Sequence, residues 1–407
     1  MSEFEERPHF NVESVDIANT RALLKLARKE IGGYRIRDPV EASFLKVAIP
    51  ELSPGGRLRP HMNQTFAMRR TTESFFPPGY ALRSLEFSVD KQMRQIFPAD
   101  MYPLFFGGTG YWNYYDVFSR LDMDELFVDM QHNLQSSMAD AYGIYHLLSQ
   151  AFRSRLGDSP TVLDVGSSMG FGLKKWLLPG EGFKPIKVLR PPRRGEPIVP
   201  GEMEPEDDMQ PIIDNLTRQT PTVGLAVAFD EHPVNERDPD ALARVFSHTF
   251  PMSESERRPD EVAEFYRLAS QSSPKILASR HFINARDASS SQQLAAYLPD
   301  GKADIGILSA VLFEQPPEVI GNIFNNLRPL FNEGALCFVT DFINHVSPNG
   351  FSFIRGNWWQ RPGSFASYVM DPHRPDVPPV ELARFTTRRA TEMWLSPEGK
   401  ELLLGTV

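Results

Sequence analysis

The chain has one cysteine, Cys337, in 407 residues. A disulfide within the chain is therefore excluded, and the place of Cys337 inside an apolar run (ALCFVT) marks a small core residue rather than a catalytic thiol. The 9 histidines form no His-x-His or His-Glu-x-x-His pair and no Cys-x-x-Cys exists, so the sequence offers no metal site. No apolar run is long enough to span a bilayer, and the acidic opening MSEFEERPHF lacks the apolar core of a signal peptide; a cytoplasmic protein without membrane association is expected. Positive charge is also in short supply: 43 Lys and Arg against 52 Asp and Glu leave a net charge of −9. The densest basic cluster, Arg190, Arg193 and Arg194, is followed by five acids in 202–208 and reads as one solvated loop. Nucleic acid is thus not an expected partner.

What the chain does have is a Gly-rich turn behind an apolar strand. Residues 161–172 read TVLDVGSSMGFG, in which Val162, Leu163, Asp164 and Val165 run into Gly166, and Gly170 and Gly172 follow at even spacing. A buried parallel strand favours β-branched and leucine side chains, and the turn after it favours residues without bulk, so that a ligand can lie on bare backbone N–H groups. A dinucleotide fingerprint needs glycine at the first, third and sixth positions, which here are Gly166, Ser168 and Phe171. Phe171 does not serve. The pattern acid-x-Gly-x-Gly-x-Gly is met at Asp164, Gly166 and Gly170, with Ser168 in place of the middle glycine.

In these residues the sequence resembles motif I of the class I S-adenosylmethionine-dependent methyltransferases. The resemblance implies an α/β fold: a Rossmann-like, doubly wound, mostly parallel seven-stranded sheet with helices on both faces. It also implies S-adenosylmethionine as cofactor, held around Asp164, Gly166, Ser167, Ser168 and Gly170. A strand and turn of some other α/β protein is the alternative from this segment alone.

The chain downstream follows the same order. Residues 223–229 (VGLAVAF) read as a second strand tipped by Asp230; the resemblance makes Asp230 the acid that accepts from the ribose hydroxyls, a task a carboxylate suits because it takes two donors at once. Residues 259–269 have helical spacing, and 281–285 read as a short third strand, after which the resemblance places Asp287 and the Ala288 N–H at the adenine. Residues 303–310 read as the fourth strand, opened by Asp304. A helix over 316–330 follows, with Val319, Ile320, Ile323, Phe324 and Leu327 on one stripe, closed at Asn332-Glu333-Gly334 before a fifth strand over 335–340. This succession resembles motifs IV and V of the same family. Residues 351–354 and 364–370 are candidates for antiparallel sixth and seventh strands, and 380–404 for a late helix.

Two regions lie outside this frame. Residues 179–221 hold nine prolines and read as an insertion, with a helix over 207–218 and a Pro-rich loop over the ligand edge of the sheet. A competing register makes 186–189 the second strand. Residues 1–130 form an N-terminal region, mixed or mainly helical, ahead of a cofactor domain over 131–407. It contains a helix over 14–31, capped by Ser14 and stopped by Gly32-Gly33; a second long helix, over 134–152, leads into the first strand. The aromatic segment 105–115 (FFGGTGYWNYY) reads as packing, with a lid or acceptor-binding element as the alternative.

The functional expectation is a methyltransferase acting on oxygen or nitrogen of a small-molecule acceptor. Alternatives are a protein or RNA methyltransferase and a non-catalytic S-adenosylmethionine-binding scaffold. The resemblance places the reaction site at 309–315, with Ser309 at the cofactor and Glu314 as candidate base; a helix-entry carboxylate is the other role open to Glu314. No Asn-Pro-Pro-aromatic or Asp-Pro-Pro-Tyr motif follows the fourth strand, which counts against the exocyclic-amine nucleic-acid methylases.

Overall fold

The computed structural model describes residues 16–37, 39–71, 78–97, 111–130, 139–178, 182–193, 196–199, 201–230, 234–235, 238–249, 259–278, 283–312, 315, 317–347, 350–353, 363–374, 376–386 and 390–405. The chain divides into two compact units, Met1–Gln135 with Ala243–Val262, and Ser136–Leu242 with Ala263–Val407. In this division residues 243–262 group with the first unit.

The first unit is helical. It contains α1 (Asp16–Arg37), α2 (Pro39–Leu52), α3 (Leu58–Thr71), α4 (Pro78–Ile96), α5 (Tyr111–Arg120) and α6 (Met123–Asp129). Helix α1 packs on α2, α3 and α4, and it runs through Gly32 and Gly33 to Arg37 instead of stopping there. Each glycine costs a helix only about 1 kcal/mol, less than burial of a long apolar face returns, so Gly-Gly marks no end here. Ser14 lies outside the described residues. Tyr114, of the aromatic segment, is buried on Phe44 with ring centroids 5.8 Å apart, whereas Tyr115 is exposed and 105–110 lie outside the described residues.

The second unit is a sheet between helices. Its strands are β1 (Thr161–Val165), β2 (Lys187–Val188), β3 (Leu225–Phe229), β4 (Ile276–Ala278), β5 (Ala303–Ser309), β6 (Phe331–Ser347), β7 (Gly350–Phe353), β8 (Phe365–Met370), β9 (Val380–Phe385) and β10 (Glu392–Leu395). The order is β2-β10-β9-β8-β6-β5-β1-β3-β4, with β7 paired to β6 off this line. From β4 to β6 every pairing is parallel; β8, β9 and β10 then add an antiparallel meander, and β2 pairs parallel to β10. After β1 the chain visits the far edge of the sheet at β2, comes back to step outward from β1 through β3 and β4, and then returns to β5 on the other side of β1. The reversal between β1 and β5 is the place where open α/β sheets bind ligands, at the carboxyl ends of the strands.

Both faces of the parallel half are covered, which is why its strands read as unbroken apolar runs. On one face Leu163, Val165, Val227, Phe229, Leu308, Cys337 and Val339 join Leu294 and the helical Ile320, Ile323 and Leu327 in a single core. Gly306, register partner of Cys337, leaves room there, since a Cβ would stand 2.7 Å from Phe331 and 2.8 Å from the Cys337 sulfur. Helix α7 (Gly143–Ala151), entered through a short 3-10 turn at Ala139–Tyr142, covers the other face: Tyr145 stacks on Phe338 at 6.3 Å with the rings 6° from parallel. Helix α8 (Phe171–Leu177) follows the Gly-rich turn, and α9 (Gln210–Arg218) packs on α7.

Several expectations are corrected. Among the described residues the sheet has ten strands, not seven, because residues 380–404 supply β9, β10 and a closing helix at Pro397–Leu404 rather than one long helix, and Lys187–Val188 supplies β2. Strand β6 begins at Phe331, but its pairing with β5 passes from Ala303–Phe331 directly to Ile305–Leu336, and left-handed Gly334 lies in the excursion between, so the turn expected at Asn332-Glu333-Gly334 is a bulge inside the strand rather than a break before it. The third parallel strand is Ile276–Ala278 and not 281–285; Ile283 and Ala285 are buried in the core without strand pairing, while the Asn284 side chain accepts from the Arg286 N–H and turns the chain. Among its described residues the insertion builds onto the outer edge of the sheet rather than over the ligand edge. Its β2 adds to the outer edge at β10, Glu206 N–H donates to Val188 carbonyl, and Lys400 pairs with Glu206. Both registers weighed for the second strand are thus used, with Leu225–Phe229 beside β1 and Lys187–Val188 at the opposite edge.

Candidate functional site

The turn after β1 is held by the end of β3. Gly166 and Ser167 N–H groups both donate to the Phe229 carbonyl, at 2.9 and 3.1 Å, and Gly170 N–H donates back to the Ser167 carbonyl at 2.8 Å. The Ser168 N–H donates to Asp230 Oδ2 at 2.8 Å. Asp230, the acid at the tip of β3, is therefore joined to the centre of the turn. Three residues of this turn have left-handed backbone, Gly166 (φ 71), Ser168 (φ 52) and Gly170 (φ 65). A serine at φ 52 carries strain that the Asp230 bond offsets locally, and this is how Ser168 takes the place of a glycine.

The glycines serve different ends. Among the described residues a Cβ on Gly170 would meet nothing within 4 Å, so open space lies against that backbone. A Cβ on Gly166 would stand 2.5 Å from Cγ2 of Val311, the second residue beyond β5. A Cβ on Gly172 would stand 2.1 Å from the Tyr142 ring. Only Gly170 has the open face a ligand needs; Gly166 and Gly172 make room for protein side chains.

Asp164 is fully buried beneath the turn, and the Tyr142 hydroxyl lies 2.9 and 2.8 Å from its two oxygens. Burial pushes the Asp164 carboxyl up to about 7, with Tyr142 acting against the shift and the negative Asp230 adding to it. Tyr142 itself is raised well above the ordinary phenol range, by burial first and by Asp164 next. Sequence reasoning missed Tyr142, since nothing in 134–152 distinguished it from other apolar positions.

On the β5 side, Ser309, Thr340 and Ser367 form one cross-strand row, and the Thr340 hydroxyl donates to Ser367 at 3.0 Å. The buried Tyr145 hydroxyl is turned toward Ser309 and Thr340. The side-chain oxygens of Tyr145, Ser168 and Ser309 are nonetheless buried without a hydrogen bond of good geometry. Buried hydroxyls are ordinarily satisfied; Tyr145 and Ser309 face one another, which leaves Ser168, on the turn itself, as the hydroxyl open to a polar ligand or bound water. Beyond β5, Ala310 is left-handed (φ 54) and its N–H donates to the Thr340 carbonyl at 2.8 Å. Asp341, fully buried, accepts from Leu312 N–H at 2.8 Å and from Phe342 N–H at 2.7 Å. Asp341 was also missed, although an acid inside the run LCFVTDF was a signal.

Asp164, Gly166, Ser167, Ser168, Gly170, Asp230 and Ser309 thus converge on the carboxyl ends of β1, β3 and β5. Asp287 and Ala288 are exposed on a turn, whose nearest tie to the others is the Ile283 N–H donating to the Asp230 carbonyl at 3.4 Å. Glu314 lies outside the described residues. Among the described residues no group of three His, Cys, Asp or Glu side chains stands ready for a metal ion, and no helix is long and apolar enough to cross a membrane.

The residues present fit a donor with a polar tail and a diol: open backbone at Gly170, an unsatisfied hydroxyl at Ser168, and a carboxylate at Asp230.

No protein-family model matches the sequence, and no curated protein matches it. Among solved structures the chain is similar to CalO1, a methyltransferase in calicheamicin biosynthesis in its SAH-bound form, at 13% identity and a TM-score of 0.21, over 64% of this chain and 50% of CalO1. It is also similar to Streptomyces venezuelae DesVI, at 12% identity and a TM-score of 0.23, over 66% of this chain and 84% of DesVI. The chain spans half the length of CalO1, and scores at this level leave the functional conclusion to the site's own geometry.

Proposed function

We propose that this chain is an S-adenosylmethionine-dependent methyltransferase that transfers methyl to an oxygen or nitrogen of a small molecule. One observation carries the reading: a Gly-rich turn with open backbone at Gly170 sits where the strand order reverses, with Asp230 bonded to its centre. When bound, the donor supplies an activated methyl group on a sulfonium. Asp230 serves to accept from vicinal hydroxyls, and the backbone of Ser167, Ser168 and Gly170 serves to seat the amino-acid tail. The Ser309 hydroxyl orients polar groups at the mouth of β5, and Glu314 takes the acceptor proton where the acceptor is a hydroxyl. Orientation behind the methyl carbon supplies much of the rate in such a displacement. The net charge of −9 favours a small acceptor over RNA.

S-adenosylhomocysteine should raise the melting temperature of the native protein and lose that effect in Asp230→Ala. Release of S-adenosylhomocysteine on incubation with phenols, amines or peptides then identifies the acceptor class. Absence of any donor or product binding to the folded wild type overturns the proposal, and binding without turnover across the panel favours the scaffold alternative.

A further inference from the structure

The loop beyond β5 is fastened to β6 and pressed onto the turn beyond β1. Asp341 takes one backbone N–H on each carboxylate oxygen, Leu312 at 2.8 Å and Phe342 at 2.7 Å. The preceding Ala310 N–H is bonded to the Thr340 carbonyl, and Gln315 N–H to the Leu312 carbonyl at 2.9 Å. Between these anchors stands Val311, half-buried, its Cγ2 2.5 Å from the place a Gly166 Cβ would take. Left-handed Ala310 turns the chain so that Val311 faces Gly166 rather than continuing along β5.

We propose that Asp341 is a positioning residue, which by fixing Leu312 seats Val311 against Gly166 and so makes Val311 one wall of the donor crevice. The inference rests on the methyltransferase reading above and adds to it the residues that couple the reaction loop to the cofactor turn. The buried carboxylate has a specific reason to be there: one oxygen reaches across to the Leu312 N–H of the loop beyond β5 while the other is held by the N–H of its own strand neighbour Phe342, which an apolar side chain cannot do. Charge-assisted bonds from a carboxylate to backbone N–H groups are also among the stronger ones available. The Gly166 side of the turn is accordingly closed by protein, and the ligand is confined to the Gly170 side, where the space is open.

The test is a double-mutant cycle read by calorimetric titration of S-adenosylhomocysteine into the full chain. Asp341→Asn presents an N–H where an acceptor is required and releases one anchor; Val311→Ala removes the wall and leaves both carboxylate bonds in place. Each single variant should weaken binding about tenfold, and the double variant should be no weaker than either single one, because both act on the same contact. A role in folding alone would lower the melting temperature while leaving the affinity of the folded fraction unchanged. Additive losses, or an affinity in Val311→Ala equal to wild type, overturn the inference, and the latter applies even if Asp341→Asn does not fold. Wild-type binding is the control that separates this failure from failure of the methyltransferase reading, since a wild type that binds no S-adenosylhomocysteine defeats that reading instead.

Discussion

The Tyr142 hydroxyl sits between both oxygens of Asp164, 2.9 Å from one and 2.8 Å from the other, in a spot closed to solvent. One proton is thus offered to two acceptors, and the carboxylate behind the turn has one neutral partner and no cation described as bonded to it.

The first prediction follows from that shortage. Burial raises the Asp164 carboxyl from 3.8 to about 7, so between those values the folded protein keeps a proton that the unfolded chain has released. Stability from this group is present at low pH and is lost as pH rises toward 7. Asp164→Asn keeps an acceptor for Tyr142 and offers an amide donor in return, without the charge. Its melting temperature should exceed that of wild type at about pH 8, and the advantage should shrink as pH falls toward 4. A scan of melting temperature against pH decides this, and a constant offset between the two proteins rejects it.

Gly172 is the counterpart of Tyr142 on the next helix. A Cβ there would lie 2.1 Å from the ring, deep within contact distance. Gly172→Ala must displace Tyr142 from Asp164, and overpacking of this kind costs about 1–3 kcal/mol. Urea unfolding measures the loss; a midpoint equal to wild type would place the ring elsewhere.

Gly166 and Gly170 are both left-handed, and both should lose roughly 1–2 kcal/mol on replacement by alanine from backbone strain. Only Gly166→Ala also meets Val311, so it should be the less stable of the two, and Val311→Ala should restore part of the difference. Gly170→Val, by contrast, fills open space rather than protein. It should remain folded and lose affinity for S-adenosylhomocysteine at least tenfold, an effect measured by titration.

How much of this was legible in the residues differs from element to element. Strand β1, its turn and β5 were readable because both faces are buried, which forces unbroken apolar runs, and because a left-handed turn selects glycine. Asp230 was readable as the acid ending such a run. The edges were not. Residues 380–404 form two short strands that pair at the rim, where one face is less buried and the apolar pattern is consistent with a helix as well. Ile283 and Ala285 show the converse, apolar side chains that fill the core without any strand, because the Asn284 turn competes for the backbone. Tyr142 and Asp341 act through contacts across 22 and 29 positions of sequence; the acid inside an apolar run marked Asp341 as unusual, but no local pattern names either partner.

His146 supplies the last prediction, with a sign opposite to that of Asp164. The Trp176 indole N–H can only donate, and it points at His146 Nδ1 from 3.1 Å; the ring proton must then be on Nε2, which donates to the Thr217 carbonyl at 3.2 Å. The neutral ring thereby joins α7 to α8 and α9. A second proton would set two donors against each other, and burial lowers the His146 pKa from 6.5 for a related reason, with the Thr217 and Gln219 carbonyls acting against the shift. Below 6.5 the unfolded chain gains a proton that the folded one refuses, so stability from this group is complete above that pH and is lost on acidification. His146→Gln can accept from Trp176 and donate to Thr217 without titrating, so its melting temperature should fall less steeply than wild type between about pH 7 and pH 5. In the same interval Asp164→Asn should fall more steeply than wild type, because it has lost the group that gains on acidification. Opposite departures of the two variants from the wild-type slope are the expected result, and departures of the same sign would show that one of the two buried groups is held in the other protonation state.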